Sequence, residues 1–280
     1  MRSSVRLGSG PGFTLDAVTC VDDHRRWGAA EVSSDYRVVL ARRGRFRRMA
    51  DGQAADVDPA MAYVGRPGEE EHFAHPAGGD ECTSLCVSAR LWRELTDGRE
   101  VRSAVYVDGG LDLAHRRLLA AARTGDVPYA LTEALLALLG ATLRTSAASG
   151  VTASGIAAPG AGGAGAGAAG AIVERAREAI DAGHPAAAGL LPLAALLGVS
   201  PFRLSRAFTG VVGVSLTHYR NRVRVGRALD RLEQGETSLA TLAADLGFAD
   251  QAHLTRTVRR HLGHTPAALR RQLAPERTFA

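Results

Sequence analysis

Apolar positions along this chain change their spacing twice. Between residues 36 and 87 they fall in short runs, YRVVL at 36–40, GRFRRM at 44–49, AMAYV at 60–64, Glu71 to Phe73 and TSLCV at 83–87. DG at 51–52, RPGE at 66–69 and AGGD at 77–80 punctuate them. Short runs bounded by turn formers predict antiparallel strands in a sandwich or small barrel. From Leu111 the period lengthens: LDLAHRRLLAAA and, after GDVP, YALTEALLALLGATLR read as two amphipathic helices with Leu131, Leu135, Leu138 and Leu139 in one stripe. Such a pair either covers a sheet or makes a subunit contact. Beyond residue 170 the period stays helical, opening with AIVERAREAIDA at 171–182.

Between these regions lies SAASGVTASGIAAPGAGGAGAGAAG, residues 146–170, with eight glycines and no charge. Nothing in it anchors a core, and it reads as a flexible linker. The predicted organisation is therefore a front domain at 1–145, the linker at 146–170 and a helical domain at 171–280, together a two-domain α+β protein.

Within the helical part the sequence repeats itself. AALLGVSPFRLSRAF from Ala194 and AADLGFADQAHLTRTV from Ala243 align at an offset of 49 through Gly198 and Gly247. The offset is 50 from Leu204 and Leu254 through Gly213 and Gly263. Each copy is a short apolar helix, a Gly turn, and a second helix opening at Ser200 in one and at Ala249 or Asp250 in the other. This is helix-turn-helix patterning, in which the second helix of each pair enters the major groove. Leu204, Ala207 and Phe208 face inward in the first copy and Leu254, Val258 and Thr257 in the second. That leaves Phe202, Arg203, Ser205 and Arg206 outward in one, and Gln251, Ala252, His253, Thr255, Arg256, Arg259 and Arg260 in the other. Between the copies Ser215 caps SLTHYRNRVRVGRALDRL, whose Arg220, Arg222, Arg224, Arg227 and Arg231 project charge. A helix of that length spans about 27 Å, enough to hold the reading helices apart at nearly one duplex turn.

Charge strengthens this reading. The net charge is +5, yet residues 1–170 carry 19 arginines against 20 acids while residues 171–280 carry 15 against 9. Every basic residue is arginine. Three cysteines, Cys20, Cys82 and Cys86, suit a reducing compartment rather than a disulfide scaffold. The amino terminus lacks a signal-peptide pattern and the long uncharged segments are broken by Gly and Pro, so a cytoplasmic location without membrane partners is expected.

LGVSPFRLSRAFTGVVGVSLTHYRNRVRVGRALDRL at 197–232 and LGFADQAHLTRTVRRHLGHTPAALRR at 246–271 resemble the AraC/XylS family of bacterial transcription regulators. The resemblance covers about 100 residues. It implies a seven-helix all-α domain with two helix-turn-helix subdomains bridged by the long helix. By it, Phe202, Arg203, Ser205, Arg206, Gln251, Ala252, His253, Thr255 and Arg256 stand where bases are read. Arg220, Arg222, Arg224, Arg227, Arg259, Arg260 and Arg270 are candidates for phosphate contact. Gly198, Leu204, Phe208, Gly213, Gly247, Phe248, Leu254, Gly263 and Pro266 hold structural positions. The sequence departs from the family at Ala252, at Val258 and at Leu190, Leu191 and Pro192, where a polar helix cap is often seen. Residues 36–73 resemble more loosely the family's front domain, which implies a cupin-like antiparallel β-barrel or jelly roll with trailing helices. The implied partners are double-stranded promoter DNA, RNA polymerase, a small-molecule effector and a second copy of the chain.

Enzymatic readings are weaker. EEEHFAH at 69–75 offers carboxylates and imidazoles, but along an extended strand His72 and His75 point to opposite faces. Cys82 and Cys86 would share a strand face about 13 Å apart and read as buried small hydrophobes. No nucleotide-binding glycine loop occurs in a strand-turn-helix context. The expectation is a regulator without catalytic residues, bound metal or cofactor. The alternative is a cupin metalloenzyme or small-molecule-binding protein with an accessory DNA-binding domain.

Overall fold

The computed structural model describes residues 2–21, 23–148 and 164–273. It divides into two compact units, one of Met1–Val107 with Ala121–Gly167, the other of Asp108–Ala120 with Ala168–Ala280.

The first unit is rich in strands: β1 (Arg2–Gly10), β2 (Phe13–Cys20), β3 (Glu31–Val32), β4 (Tyr36–Arg43), β5 (Phe46–Ala50), β6 (Gln53–Val57), β7 (Met61–Gly65), β8 (Glu70–Ala74), β9 (Asp80–Val87) and β10 (Ala104–Tyr106). One antiparallel sheet runs β1-β2-β9-β4-β7-β10 and the other β3-β8-β5-β6. Their apolar faces meet: Val18, Val39, Ala41, Tyr63 and Cys82 of the first pack with Phe46, Val57 and Phe73 of the second. The barrel implied by the cupin-like resemblance does not form. The first sheet ends at β1 and β10, the second at β3 and β6, and neither closes on itself. Run length and turn spacing carry no information on this point, because closed and stacked sheets both alternate inward and outward positions.

Each expected run from Tyr36 to Val87 lies on a strand. Strand β1 had no sequence signal, since its first five residues are all exposed and show no alternation. The arginine run at 42–48 is only partly surface. Arg48 is buried, with Nε 2.5 Å from Glu71, Nη2 2.6 Å from Glu69 and its guanidinium over the Tyr63 ring. This pairing also occupies two of the carboxylates of EEEHFAH.

Helix α1 (Ala89–Thr96) lies between β9 and β10, and α2 (Gly109–Thr124) and α3 (Thr132–Ala148) follow the strands, α3 after a π turn at Val127–Leu131 that Asp126 caps. The leucine stripe of α3 is buried. Residues 149–163 of the expected linker lie outside the described residues. Beyond them α4 (Ala164–Asp181) begins seven residues before the expected opening helix, through Ala-rich sequence that tolerates Gly167 and Gly170.

The second unit continues with α5 (Leu190–Leu197), α6 (Pro201–Val212), α7 (Leu216–Glu233), α8 (Leu239–Asp245), α9 (Gln251–Leu262) and α10 (Pro266–Leu273). Val225, Leu229 and Leu232 of α7, Leu242 of α8, Leu254 and Val258 of α9 and Leu269 of α10 form one buried cluster with Phe248 and with Leu113 of α2. Phe208 and Tyr219, both fully buried, meet edge to face 5.2 Å apart and join α6 to α7. Among the described residues no helix is long and apolar enough to cross a membrane.

Candidate nucleic-acid interface and a buried polar cluster

Two helices in the second unit are built alike. The Ser200 hydroxyl accepts from the Arg203 amide at 3.2 Å at the start of α6, and Asp250 accepts from the His253 amide at 2.6 Å at the start of α9. Each side chain satisfies one of the amides that a helix start leaves without an intrahelical partner. Both helices run 12 residues and end at a glycine with positive φ, Gly213 at 81° and Gly263 at 72°, where a side chain would be strained. The short helices before them, α5 and α8, are followed by Gly198 and Gly247, also with positive φ. As expected, α5 has no side-chain cap: Gly189 stands where a polar residue would.

Burial separates the faces of α6 and α9. Leu204, Phe208 and Val212 on α6 and Leu254, Thr257, Val258 and Leu262 on α9 point inward. Phe202, Arg203 and Arg206 are exposed on α6 and Ser205 is half-buried; Phe202 keeps 70% of its surface although it is a large aromatic. The Arg206 guanidinium lies 5.5 Å from the Phe202 ring. On α9 Gln251, Ala252, Arg256, Arg259 and Arg260 are exposed, while Thr255 is half-buried. His253 is partly committed elsewhere: its Nδ1 accepts from the Ala249 amide and its ring meets Phe248 edge-on.

The arginines expected at phosphates have diverse surroundings. Arg222 is 3% exposed and lies 3.1 Å from Asp112 of α2, an ion pair whose atoms are not aligned as a hydrogen bond. Its burial removes it from any surface a duplex could touch in this conformation. Arg227 donates to the carbonyls of Ile180 and Asp181 at the end of α4, Arg224 to that of Gly247 while lying over Phe248, and Arg270 to that of Thr237. These three act as struts on helix ends and turns, leaving Arg259 and Arg260 as the exposed ones and Arg220 half-buried. Burial, then repulsion from Arg220 and Arg227, pushes the Arg224 pKa down to about 10. Burial also lowers that of Arg220.

At the end of α9 His261 is half-buried, 4.9 Å from the ring of His218. Burial, then the positive fields of His218, Arg222 and Arg260, hold its pKa at about 4 against an ordinary 6.5. The unfolded chain takes up this proton first. The contribution to stability is therefore whole above pH 6.5 and is lost as pH falls toward about 4. Urea unfolding across that window should show a decline that His261→Gln flattens. A variant with the parent slope would exclude His261 as its source.

In the strand-rich unit the structure overturns the expectation that enzymatic chemistry is absent. Buried side chains of Cys20, His75 and Asp80 place their donor atoms within 4.8 Å of one another, a set able to hold a metal ion of the kind enzymes use. Cys20 ends β2, Asp80 opens β9, and the two are direct partners in the β2–β9 register. A Cβ on Gly79 would collide with the Cys20 carbonyl, so glycine is what permits the strands this close. His75 follows β8 in the other sheet. His72 turns away, its Nδ1 3.0 Å from the Gly28 carbonyl. No local spacing joins residues 20, 75 and 80; the only sequence hint was that His72 and His75 diverge.

Residues 193–272 match the helix-turn-helix domain family, so the chain carries a helix-turn-helix domain in its carboxy-terminal part. Over 107 residues the chain is 28% identical to the bifunctional transcriptional activator/DNA repair enzyme AdaA of Bacillus subtilis, covering 38% of this chain and 51% of that protein. Over 73 residues it is 33% identical to the probable transcription factor PqrA of Proteus vulgaris, covering 26% and 60%. The C-terminal domain of AraT, a response regulator from Geobacillus stearothermophilus, aligns at 27% identity and a TM-score of 0.36, covering 39% of this chain and 90% of that one. The chain spans between 25% and 60% of the length of the curated relatives it matches.

Proposed function

We propose that this protein is a sequence-specific DNA-binding transcription regulator of the AraC/XylS kind, in which α6 and α9 each read a major-groove segment of promoter DNA. The observation that carries this reading is the repetition of one device. Two 12-residue helices share a polar cap, a closing glycine and a buried apolar face, and each turns arginine outward near its start. Arg206 and Arg256 have the reach for two hydrogen bonds to a guanine edge, Gln251 for two to adenine. Phe202, Ala252 and the methyl of Thr255 suit apolar contact with thymine. Arg203, Ser205 and His253 complete the reading surface. Arg220, Arg259 and Arg260 suit phosphates, which position the protein without reading sequence. In this reading the front domain, 1–145, receives a small effector or pairs two chains, residues 146–170 connect it to the DNA-binding domain at 171–280, and RNA polymerase is a further partner in the cytoplasm.

Full-length protein binding to fragments from around its own gene, with random duplex as competitor and salt varied, tests the reading. Arg206→Ala or Arg256→Ala should cost about 1 to 3 kcal/mol on the preferred fragment and relax preference at one base pair. Arg259→Ala should weaken all fragments alike and reduce the salt slope by about 0.9. Binding with no preference over random duplex would refute the proposal.

A further inference from the structure

The polar cluster between the two sheets takes no part in DNA reading, yet its hydrogen bonds constrain its chemistry. The Nδ1 of His24 lies 3.0 Å from the Arg26 carbonyl oxygen, which only accepts, so that nitrogen carries a proton. In neutral His24, Nε2 is then a lone pair. It faces Nδ1 of His75 at 3.2 Å, and the proton between them belongs to His75. Neutral His75 is thereby left with an unprotonated Nε2, 3.0 Å from Oδ1 of Asp80. With His75 neutral, two acceptors face each other in a buried place, and either a proton on Nε2 or a metal ion would satisfy both. Asp80 is only 4% exposed, and its Oδ1 has no hydrogen-bond partner despite that proximity. Its other oxygen accepts from the Cys82 thiol at 2.8 Å. A cation between the acceptors removes the conflict.

We propose that Cys20, His75 and Asp80 bind a divalent transition-metal ion of borderline softness, Zn²⁺ or Fe²⁺ in class, with one coordination position open. A thiolate, an imidazole and a carboxylate are the ligand types such ions share. Tetrahedral bonds of about 2.0 to 2.3 Å would place the three donors roughly 3.3 to 3.7 Å apart, which widens the 3.0 Å approach of His75 to Asp80 slightly and draws in the longer separations of a cluster whose donors lie within 4.8 Å. The surroundings already have the form of a second ligand shell. His75 donates its other ring proton to His24, His24 is fixed by a carbonyl, and the carboxylate is oriented by Cys82. The three residues also line a cavity of about 290 Å³ shared with Arg2, Arg37 and Tyr63. Three protein ligands beside a cavity leave the fourth position to water or a small anion.

The test uses the full-length protein, stripped with a chelator and titrated with Zn²⁺ or Co²⁺. One ion per chain is expected, with a thiolate-to-cobalt charge-transfer band that disappears in Cys20→Ser and persists in Cys86→Ser. Asp80→Asn should weaken Zn²⁺ binding strongly while keeping the acceptor for Cys82, and His24→Gln by about 10- to 100-fold. Thermal unfolding and DNA binding of the metal-free forms establish that each variant is folded, so loss of metal binding and loss of DNA reading are read separately. Absence of stoichiometric binding to folded parent protein, or an undiminished cobalt band in folded Cys20→Ser, would overturn the proposal. Should Cys20→Ser not fold, an undiminished Zn²⁺ affinity in folded Asp80→Asn overturns it equally.

Discussion

Phe208→Ala should destabilise the helical unit by about 3 to 5 kcal/mol, whereas Phe202→Ala, six residues earlier on the same helix, should change its stability by no more than about 0.5 kcal/mol. The two residues differ only in where α6 turns them. Phe208 is fully buried, edge-on to the equally buried Tyr219, and its loss opens a cavity between α6 and α7 that neither helix can close. Phe202 is 70% exposed and touches Arg206 through its ring face, a contact of about 0.5 to 1 kcal/mol at an exposed site that helps hold the guanidinium in place. Urea unfolding and DNA affinity measured on both variants separate scaffold from reader. Phe202→Ala is expected to bind DNA more weakly while folding normally. A loss of stability above about 2 kcal/mol in that variant would place Phe202 in the core and remove it from the reading surface.

A comparable loss, about 3 to 5 kcal/mol, is expected from Asp112→Ala, because it strips the buried Arg222 guanidinium of the carboxylate 3.1 Å away. Arg116 would keep Asp230 and Glu233, each 2.9 Å from it, so the damage centres on Arg222. Burial by itself raises the Asp112 pKa, but the guanidiniums of Arg222 and Arg116 outweigh that and leave it below the ordinary carboxylate value. The stabilisation is therefore complete at neutral pH and is lost as pH falls through the depressed value. Replacing the pair together, Asp112→Leu with Arg222→Met, should recover most of the loss, since a desolvated ion pair adds little over well-packed apolar groups. A double variant as unstable as Asp112→Ala would show that Arg222 is needed for contacts other than Asp112.

The helical unit was largely legible because its information is local. The caps at Ser200, Ser215 and Asp250, the closing glycines and the inward leucines all act within one or two turns, and the structure places them where periodicity does. The outward face follows from the inward one, so the exposure of Phe202, Arg206 and Arg256 needed no tertiary information. Arg222 marks the limit. A helical wheel assigns an arginine to solvent, and only the segment carrying Asp112, 110 residues earlier in the chain, turns that position into a buried ion pair.

By itself, then, the sequence determined the strand-rich front, the helical remainder, the duplicated helix pairs and the sign of their surface, because hydrophobic period, capping chemistry and charge act between near neighbours. Tertiary structure alone decided that the front is two open sheets rather than a closed barrel, since closure depends on which strand edges meet. It alone brought Cys20 opposite Asp80 and set His75 against both. Strand register and sheet stacking join residues 55 and 60 positions apart, and no run of neighbouring side chains encodes those contacts.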